Sequence, residues 1–116
     1  MDKQKKTTPK TFPVRLSLNA LQNIDEITGY IAFVKLQPIN AIKVGDEIFK
    51  TIERIAQAPL AFKECEEIPT KTKMYRRAVC FSWSVIYRIK NDEILILGII
   101  HQSRRPSKIA KLRNIK

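Results

Sequence analysis

Apolar residues recur every three or four positions in two consecutive stretches of the first half of the chain. The first stretch, from Ser17 to about Leu36, predicts an amphipathic helix with Ser17 as its N-cap. The second begins at Pro38, a residue suited to a first helical turn, and stops before Pro59. A short connection between two such helices predicts an antiparallel helical hairpin. The apolar positions are Leu21, Ile24, Ile27, Ile31 and Val34 in the first helix, and Ile42, Ile48, Phe49, Ile52, Ile55 and Ala56 in the second.

Strand patterns lie on both sides of this hairpin. Residues 12–17 alternate apolar and polar positions, and residues 74–81, 83–89 and 93–101 give three further strand signals. The Asn91-Asp92 pair between the last two predicts a tight hairpin turn. The order strand, helix, helix, then three or four strands predicts a two-layer α+β domain. In it, the helical hairpin packs on one face of a mostly antiparallel sheet.

The charge balance is the unusual feature of the composition. The chain has 116 residues, enough for one domain, and its 22 Lys and Arg against 11 Asp and Glu give a net charge of +11. We divide it into a basic N-terminal arm (1–10), a folded domain (11–107) and a basic C-terminal tail (108–116). Such a surface attracts polyanions: a nucleic acid, an anionic membrane or an acidic protein.

Several site classes and locations are not expected. The first ten residues are polar and charged, which argues against a secretory signal, and no apolar run approaches the roughly 20 residues of a membrane helix. Cys65 and Cys80 do not form a CxxC motif; two free thiols in a cytoplasmic protein are expected, with one disulfide as the alternative. A single histidine and isolated glycines predict no metal site, no phosphate loop and no cofactor.

Basic side chains are concentrated in the strand-rich half. Arg76 and Arg77 are adjacent on a strand, so they lie on opposite faces and cannot both serve one site. His101 closes the last strand just before Arg104 and Arg105, and such arginines can hold a phosphate or carboxylate bidentately. For any one arginine, the alternative is that it only keeps the sheet surface soluble. The candidate target- or anion-binding residues are Arg76, Arg77, Arg88, His101, Arg104 and Arg105.

The chain resembles a known superfamily through motifs whose order and spacing matter more than any one alone. They are Leu16-Ser17, Ala20, Ile24 and Tyr30-Ile31; Ala41, Ile48, Ile55 and Pro59; Tyr75-Arg76-Arg77; Val85-Ile86-Tyr87-Arg88; the run 94–100; and HQSRRP at 101–106. Together they resemble the RelE/ParE superfamily of toxins from bacterial type II toxin–antitoxin modules, over residues 12 to about 107.

The resemblance separates two branches. RelE-like members cut messenger RNA in the ribosome and typically carry an arginine three residues before the tyrosine that Tyr87 matches; Ser84 occupies that position here. His101 matches a catalytic histidine of some ribonuclease members. The ending HQSRRP instead resembles the ParE-like branch, whose members are implicated in poisoning DNA gyrase. A ParE-like toxin that inhibits an essential target by binding is therefore favoured, with gyrase as the candidate target.

The resemblance also implies a partner. Antitoxins of this superfamily are typically flexible acidic or amphipathic segments, which would lie along the helical hairpin and the sheet of a cationic toxin and form a hetero-oligomer with it. The candidate antitoxin-binding residues are Ile31, Val34, Ile52 and Ile55.

Two other functions stay open at the level of sequence. One is a RelE-like, ribosome-dependent, metal-independent endoribonuclease that uses His101 with Arg77 or Arg88 and Tyr87. The other is a non-toxic basic module that binds nucleic acid without sequence preference.

Overall fold

The computed structural model describes residues 11–116, and the predicted N-terminal arm lies outside the described residues. Five strands form one sheet in the order β1-β5-β4-β3-β2, with β1 parallel to β5 and the other neighbours antiparallel. This confirms the α+β prediction. The strands are β1 (Val14–Leu16), β2 (Lys63–Glu64), β3 (Tyr75–Cys80), β4 (Trp83–Lys90) and β5 (Glu93–His101).

The turn between β4 and β5 takes the conformation that its sequence predicts. Asn91 and Asp92 have φ angles of 54° and 61°. Two successive residues with positive φ form the type I′ turn, whose twist matches that of the flanking strands. The Asn91-Asp92 prediction is confirmed, and the turn sets the pairing of Lys90 with Glu93.

Two helices connect β1 to the rest of the sheet. Helix α1 (Leu18–Gly29) starts at Ser17, whose hydroxyl accepts a hydrogen bond from the Ala20 amide at 3.0 Å, which confirms the predicted N-cap. The α-helix ends earlier than predicted, because the chain continues as a π-helix (Tyr30–Val34) and leaves helical geometry at Leu36, whose φ is 56°. Helix α2 (Pro38–Gln57) has Pro38 in its first turn and ends before Pro59, as predicted.

The main core lies between this hairpin and one face of the sheet. Ile48 and Ile55 of α2 and Tyr87 of β4 have no exposed surface. The buried stripe of α2 is rotated from the predicted one, since Ile42 and Phe49 are exposed while other positions face the sheet. The buried α2 residues are Ala41, Val44, Ile48, Thr51, Ile52 and Ile55.

The C-terminal segment covers the other face of the sheet. Residues Pro106–Ala110 form a short helix, α3, and Lys111–Asn114 a 3₁₀ turn. Ile109 and Leu112 are buried in a second apolar cluster with Ile86 and Leu97. The structure therefore shows no boundary at residue 107, and the predicted tail 108–116 packs on the domain while its basic side chains point to solvent.

A β-bulge in β5 is held by α1. Ile86 pairs with Gly98 but Tyr87 pairs with Ile96, so Leu97 is extra in the ladder. The Leu97 carbonyl accepts a hydrogen bond from Asn19 Nδ2 at 3.0 Å. The Ile99 amide donates to Asn23 Oδ1, also at 3.0 Å. These amide side chains replace the backbone partners that the bulge removes.

We expect Gly98→Ala to destabilise the domain. A Cβ atom there would lie 2.9 Å from both Asn19 Nδ2 and Asn23 Oδ1, so the two amides must shift. The Leu97 carbonyl keeps its hydrogen bond from the Ser17 hydroxyl, but the Ile99 amide loses Asn23 as its partner. One buried backbone group left unpaired costs about 1–3 kcal/mol, which urea denaturation would measure.

Gly29→Ala is the matched control for this experiment. Nothing lies within 4 Å of a Cβ atom placed at Gly29, so this position has room for the added methyl group. In a helix, Gly29→Ala should be neutral or stabilising by up to about 1 kcal/mol. Equal stability losses for the two alanine variants would contradict this account of Gly98.

Candidate functional site

His101 lies on the surface at the point where β5 ends. The Ser103 amide donates to His101 Nδ1 at 3.1 Å, so Nδ1 is an acceptor and the ring proton of the neutral form is on Nε2. The Ser103 hydroxyl lies 2.8 Å from the same nitrogen. Trp83 packs edge-on against the imidazole at 5.9 Å between ring centroids. The side chain is thus exposed but held in one orientation.

His101 opens into a cavity of about 450 Å³ between α1, the end of β5 and α3. Arg104 and Lys108 line the same cavity and add positive charge, and among residues 11–116 Glu26 is the one acidic side chain in its wall. Tyr30 and Trp83 add aromatic surface. Arg105 follows as the N-cap residue of α3 and is exposed. We call His101, Arg104, Arg105 and Lys108 the β5 exit surface.

Arg76 does not belong to this surface. Its guanidinium donates to three backbone carbonyls, those of Phe62 and Lys73 at 2.9 Å and that of Leu60 at 3.2 Å. These bonds tie the loop before β2 to β3. Arg76 therefore has a structural role at the β2 edge.

Arg77 lies on the opposite face from Arg76, as the strand period requires. Its guanidinium forms an ion pair with Glu67 at 3.2 Å and donates to Ser84 Oγ at 3.0 Å. Because Glu67 neutralises it, Arg77 adds little free positive charge to this face. The Cys65 thiol also contacts Glu67, with Sγ 3.5 Å from Oε1.

The Cys65 thiol gives a pH-dependent prediction. Burial, together with the nearby Glu67 charge, raises its pKa from 9.0 to about 11. Between these two values the unfolded chain releases a proton that the native chain retains, so the free energy of unfolding falls as pH rises. Urea denaturation between pH 8 and 11 should show a shallower fall for Cys65→Ala than for the unsubstituted chain. Parallel pH profiles would contradict the assignment.

Tyr87 is a core residue. Its hydroxyl donates to the Pro59 carbonyl, its ring packs edge-on against Phe62, and burial raises its pKa far above the ordinary value. Tyr87 does not line the His101 cavity, and Arg88 lines a different one. The structure therefore does not bring His101, Arg77, Arg88 and Tyr87 together.

Three of the four predicted antitoxin contacts are inside the domain. Ile31, Ile52 and Ile55 are part of the main core, because the faces of the π-helix and α2 that carry them pack on the sheet. Val34 is 63% exposed. Of the four, only Val34 offers its side chain to a partner in this conformation.

The sequence reasoning missed an apolar groove between α1, the π-helix and α2, with a volume of about 710 Å³. Phe33, Ile42 and Phe49 line it and are 81%, 66% and 48% exposed. Leu36 and Ile39, in the connection and the first turn of α2, are also exposed. We call the channel lined by Phe33, Ile42 and Phe49 the hairpin groove. The sequence signal for this groove was that the two helices carry more apolar residues than one buried stripe on each helix requires.

Comparison with known proteins decides the family. Residues 14–106 match the ParE toxin family of the type II toxin–antitoxin system parDE. The chain belongs to this family. It is a ParE-type toxin of a type II toxin–antitoxin system, which confirms the resemblance noted from the sequence. No curated protein matches this ParE-type chain.

Two solved structures show the same fold. A chain of the chromosomal ParDE system from P. aeruginosa is 20% identical with a TM-score of 0.64, covering 79% of this ParE-type chain and 97% of that one. A chain of the RelBE2 toxin–antitoxin complex from Mycobacterium tuberculosis is 17% identical with a TM-score of 0.50, covering 79% and 99%.

No helix within residues 11–116 has the length and apolar content to cross a bilayer. Over the same residues, no group of three or more His, Cys, Asp and Glu side chains could hold a metal ion.

Proposed function

We propose that this ParE-type toxin acts in the bacterial cytoplasm and arrests growth by binding an essential target, DNA gyrase, through the β5 exit surface. The observation that supports this most is the grouping of exposed Arg104, Arg105 and Lys108 with His101 beside a cavity with aromatic walls. Exposed cations raise the rate of encounter with an anionic partner, and aromatic side chains supply contact area.

The other candidate side chains are already engaged in contacts inside the domain, which favours a binding function over RNA cleavage. A metal-free ribonuclease needs a base, an acid and a cation around one phosphate. Here Arg77 forms an ion pair with Glu67, and the buried Tyr87 hydroxyl donates a hydrogen bond to the Pro59 carbonyl. Ser84, where RelE-like members carry arginine, is also buried.

The hairpin groove is the surface we propose for the antitoxin. The groove exposes an apolar surface formed by Phe33, Ile42 and Phe49. Removing such a surface from water by binding a partner is energetically favourable. An amphipathic helix with an acidic outer face would suit both this groove and a chain of net charge +11. The π-helix presents Tyr30 to the His101 cavity and Phe33 to the groove. A bound antitoxin would therefore lie next to the β5 exit surface.

Induction of the chain without a partner tests the proposed function. We expect growth arrest with signs of DNA damage, while primer extension finds translated messages intact. His101→Ala should weaken toxicity only in part, because Arg104, Arg105 and Lys108 stay in the β5 exit surface and the proposed mode needs no general base. If the unsubstituted chain cuts translated messages and the His101→Ala variant has no effect on growth, the RelE-like endoribonuclease replaces this proposal. An absence of any growth effect would favour the non-toxic nucleic-acid-binding module.

A further inference from the structure

A second cationic cavity lies at the far end of the β4–β5 hairpin from the β5 exit surface. The pairing of Trp83 with His101 marks one end of this hairpin, and the pairing of Lys90 with Glu93 marks the other. At the latter end is a cavity of about 230 Å³, lined by Arg15, Arg88, Lys90, Asn91, Glu93, Ile94 and Leu95. Nothing in the proposed toxin function uses it.

Sheet register explains why these cations meet. Arg15 of β1 pairs with Leu95 of β5, and Leu95 pairs with Arg88 of β4, so the three side chains lie in one row on one face. Neighbouring strands are about 4.8 Å apart, which places Arg15 and Arg88 within reach of one small ligand. Lys90 lies two residues beyond Arg88 and so projects from the same face.

The environment of Arg88 is incomplete among the described residues. Its Nε atom is buried and has no hydrogen-bond partner there. Leaving a buried charged donor unpaired is costly. The two arginines of β3 have partners within the domain, since Arg76 reaches backbone carbonyls and Arg77 reaches Glu67 and Ser84. Of the arginines in β3 and β4, Arg88 is therefore the one that an acceptor from outside fits best.

We propose that this cavity binds a dianionic phosphate group, carried by inorganic phosphate or by the terminal phosphate of a nucleotide. Among the described lining residues, three cationic side chains against the carboxylate of Glu93 leave two positive charges in excess, matching a phosphate monoester rather than a carboxylate. A rotation of the Arg88 side chain would bring its buried Nε against a phosphate oxygen and supply the acceptor that Nε lacks. Arg15 and Lys90 contact the remaining oxygens from either side.

Isothermal titration of the full chain with sodium phosphate, adenosine monophosphate and sodium acetate, at constant ionic strength, tests the site. We expect saturable binding of phosphate and of the nucleotide, with acetate at least about tenfold weaker, since roughly 1.4 kcal/mol separates each factor of ten. A nucleotide that binds more tightly than phosphate identifies a nucleotide as the source of the group. Equal affinities identify free phosphate, and either result supports the site.

Matched variants locate the binding. Arg88→Met should weaken phosphate binding at least about tenfold, because a charge-assisted hydrogen bond contributes about 1.5–3 kcal/mol. Arg113→Met, the same change at an exposed position, should leave it unaltered. If Arg88→Met does not fold, exposed Lys90→Met is the substitute and should weaken binding at least about threefold. Acetate binding as tight as phosphate, no saturable binding, or equal losses in the Arg113 and cavity variants would each overturn the proposal.

Discussion

Replacing Arg104 and Arg105 together with glutamate should abolish growth arrest. Both side chains are exposed at the end of β5, so their reversal leaves the two apolar clusters intact. Each lost charge-assisted contact costs about 1.5–3 kcal/mol, and two together should weaken target binding at least about 100-fold. Growth curves after induction, with protein levels checked by immunoblot, would measure the effect.

The control reverses two charges elsewhere. Lys43 and Lys50 are exposed on α2, outside the residues that line the His101 cavity. Lys43→Glu with Lys50→Glu makes the same change in net charge and should leave toxicity in place. If both double variants lose toxicity to the same degree, net charge rather than the β5 exit surface is responsible.

Placing aspartate at Phe33 and Ile42 should release the toxin from its antitoxin. These side chains line the hairpin groove while largely exposed, so the isolated domain should tolerate the change. Burying a carboxylate where an apolar anchor belongs costs at least about 2 kcal/mol per position, so affinity should fall about 1000-fold. Co-expression with the cognate antitoxin should then fail to restore growth.

Apolar positions outside the groove provide the comparison. Leu18 and Leu60 are 72% and 69% exposed, and neither lines the groove. Leu18→Asp with Leu60→Asp should leave neutralisation by the antitoxin intact. If the antitoxin still binds the Phe33 and Ile42 variant but no longer binds the Leu18 and Leu60 variant, the antitoxin surface is not the hairpin groove.

Features encoded by neighbouring residues could be read from the sequence. The Ser17 cap, the start of α2 at Pro38 and the Asn91-Asp92 turn each depend on a few adjacent residues, and all three were predicted correctly. Strands β3, β4 and β5 were also predicted, since their apolar runs and turns have strong local signals, whereas the two-residue strand β2 was not among the predicted segments.

Features that depend on tertiary contacts could not be read in this way. Period two predicted that Arg76 and Arg77 lie on opposite faces, but nothing in the sequence indicated that Glu67 would pair with Arg77. The rotation of α2 that exposes Ile42 depends on how the helix docks on the sheet, because several apolar faces were available. Ile109 and Leu112 were assigned to a basic tail because lysines and arginines surround them, and their burial against the sheet depends on contacts with Ile86 and Leu97.

The central claim is that this chain inhibits DNA gyrase through the β5 exit surface. A supercoiling assay with purified gyrase tests it most directly. The chain alone should inhibit the enzyme in a dose-dependent manner, and the Arg104→Glu, Arg105→Glu variant should need at least about 100-fold more protein for the same inhibition. Full gyrase activity in the presence of excess folded chain, or equal inhibition by the unsubstituted chain and this variant, would contradict it.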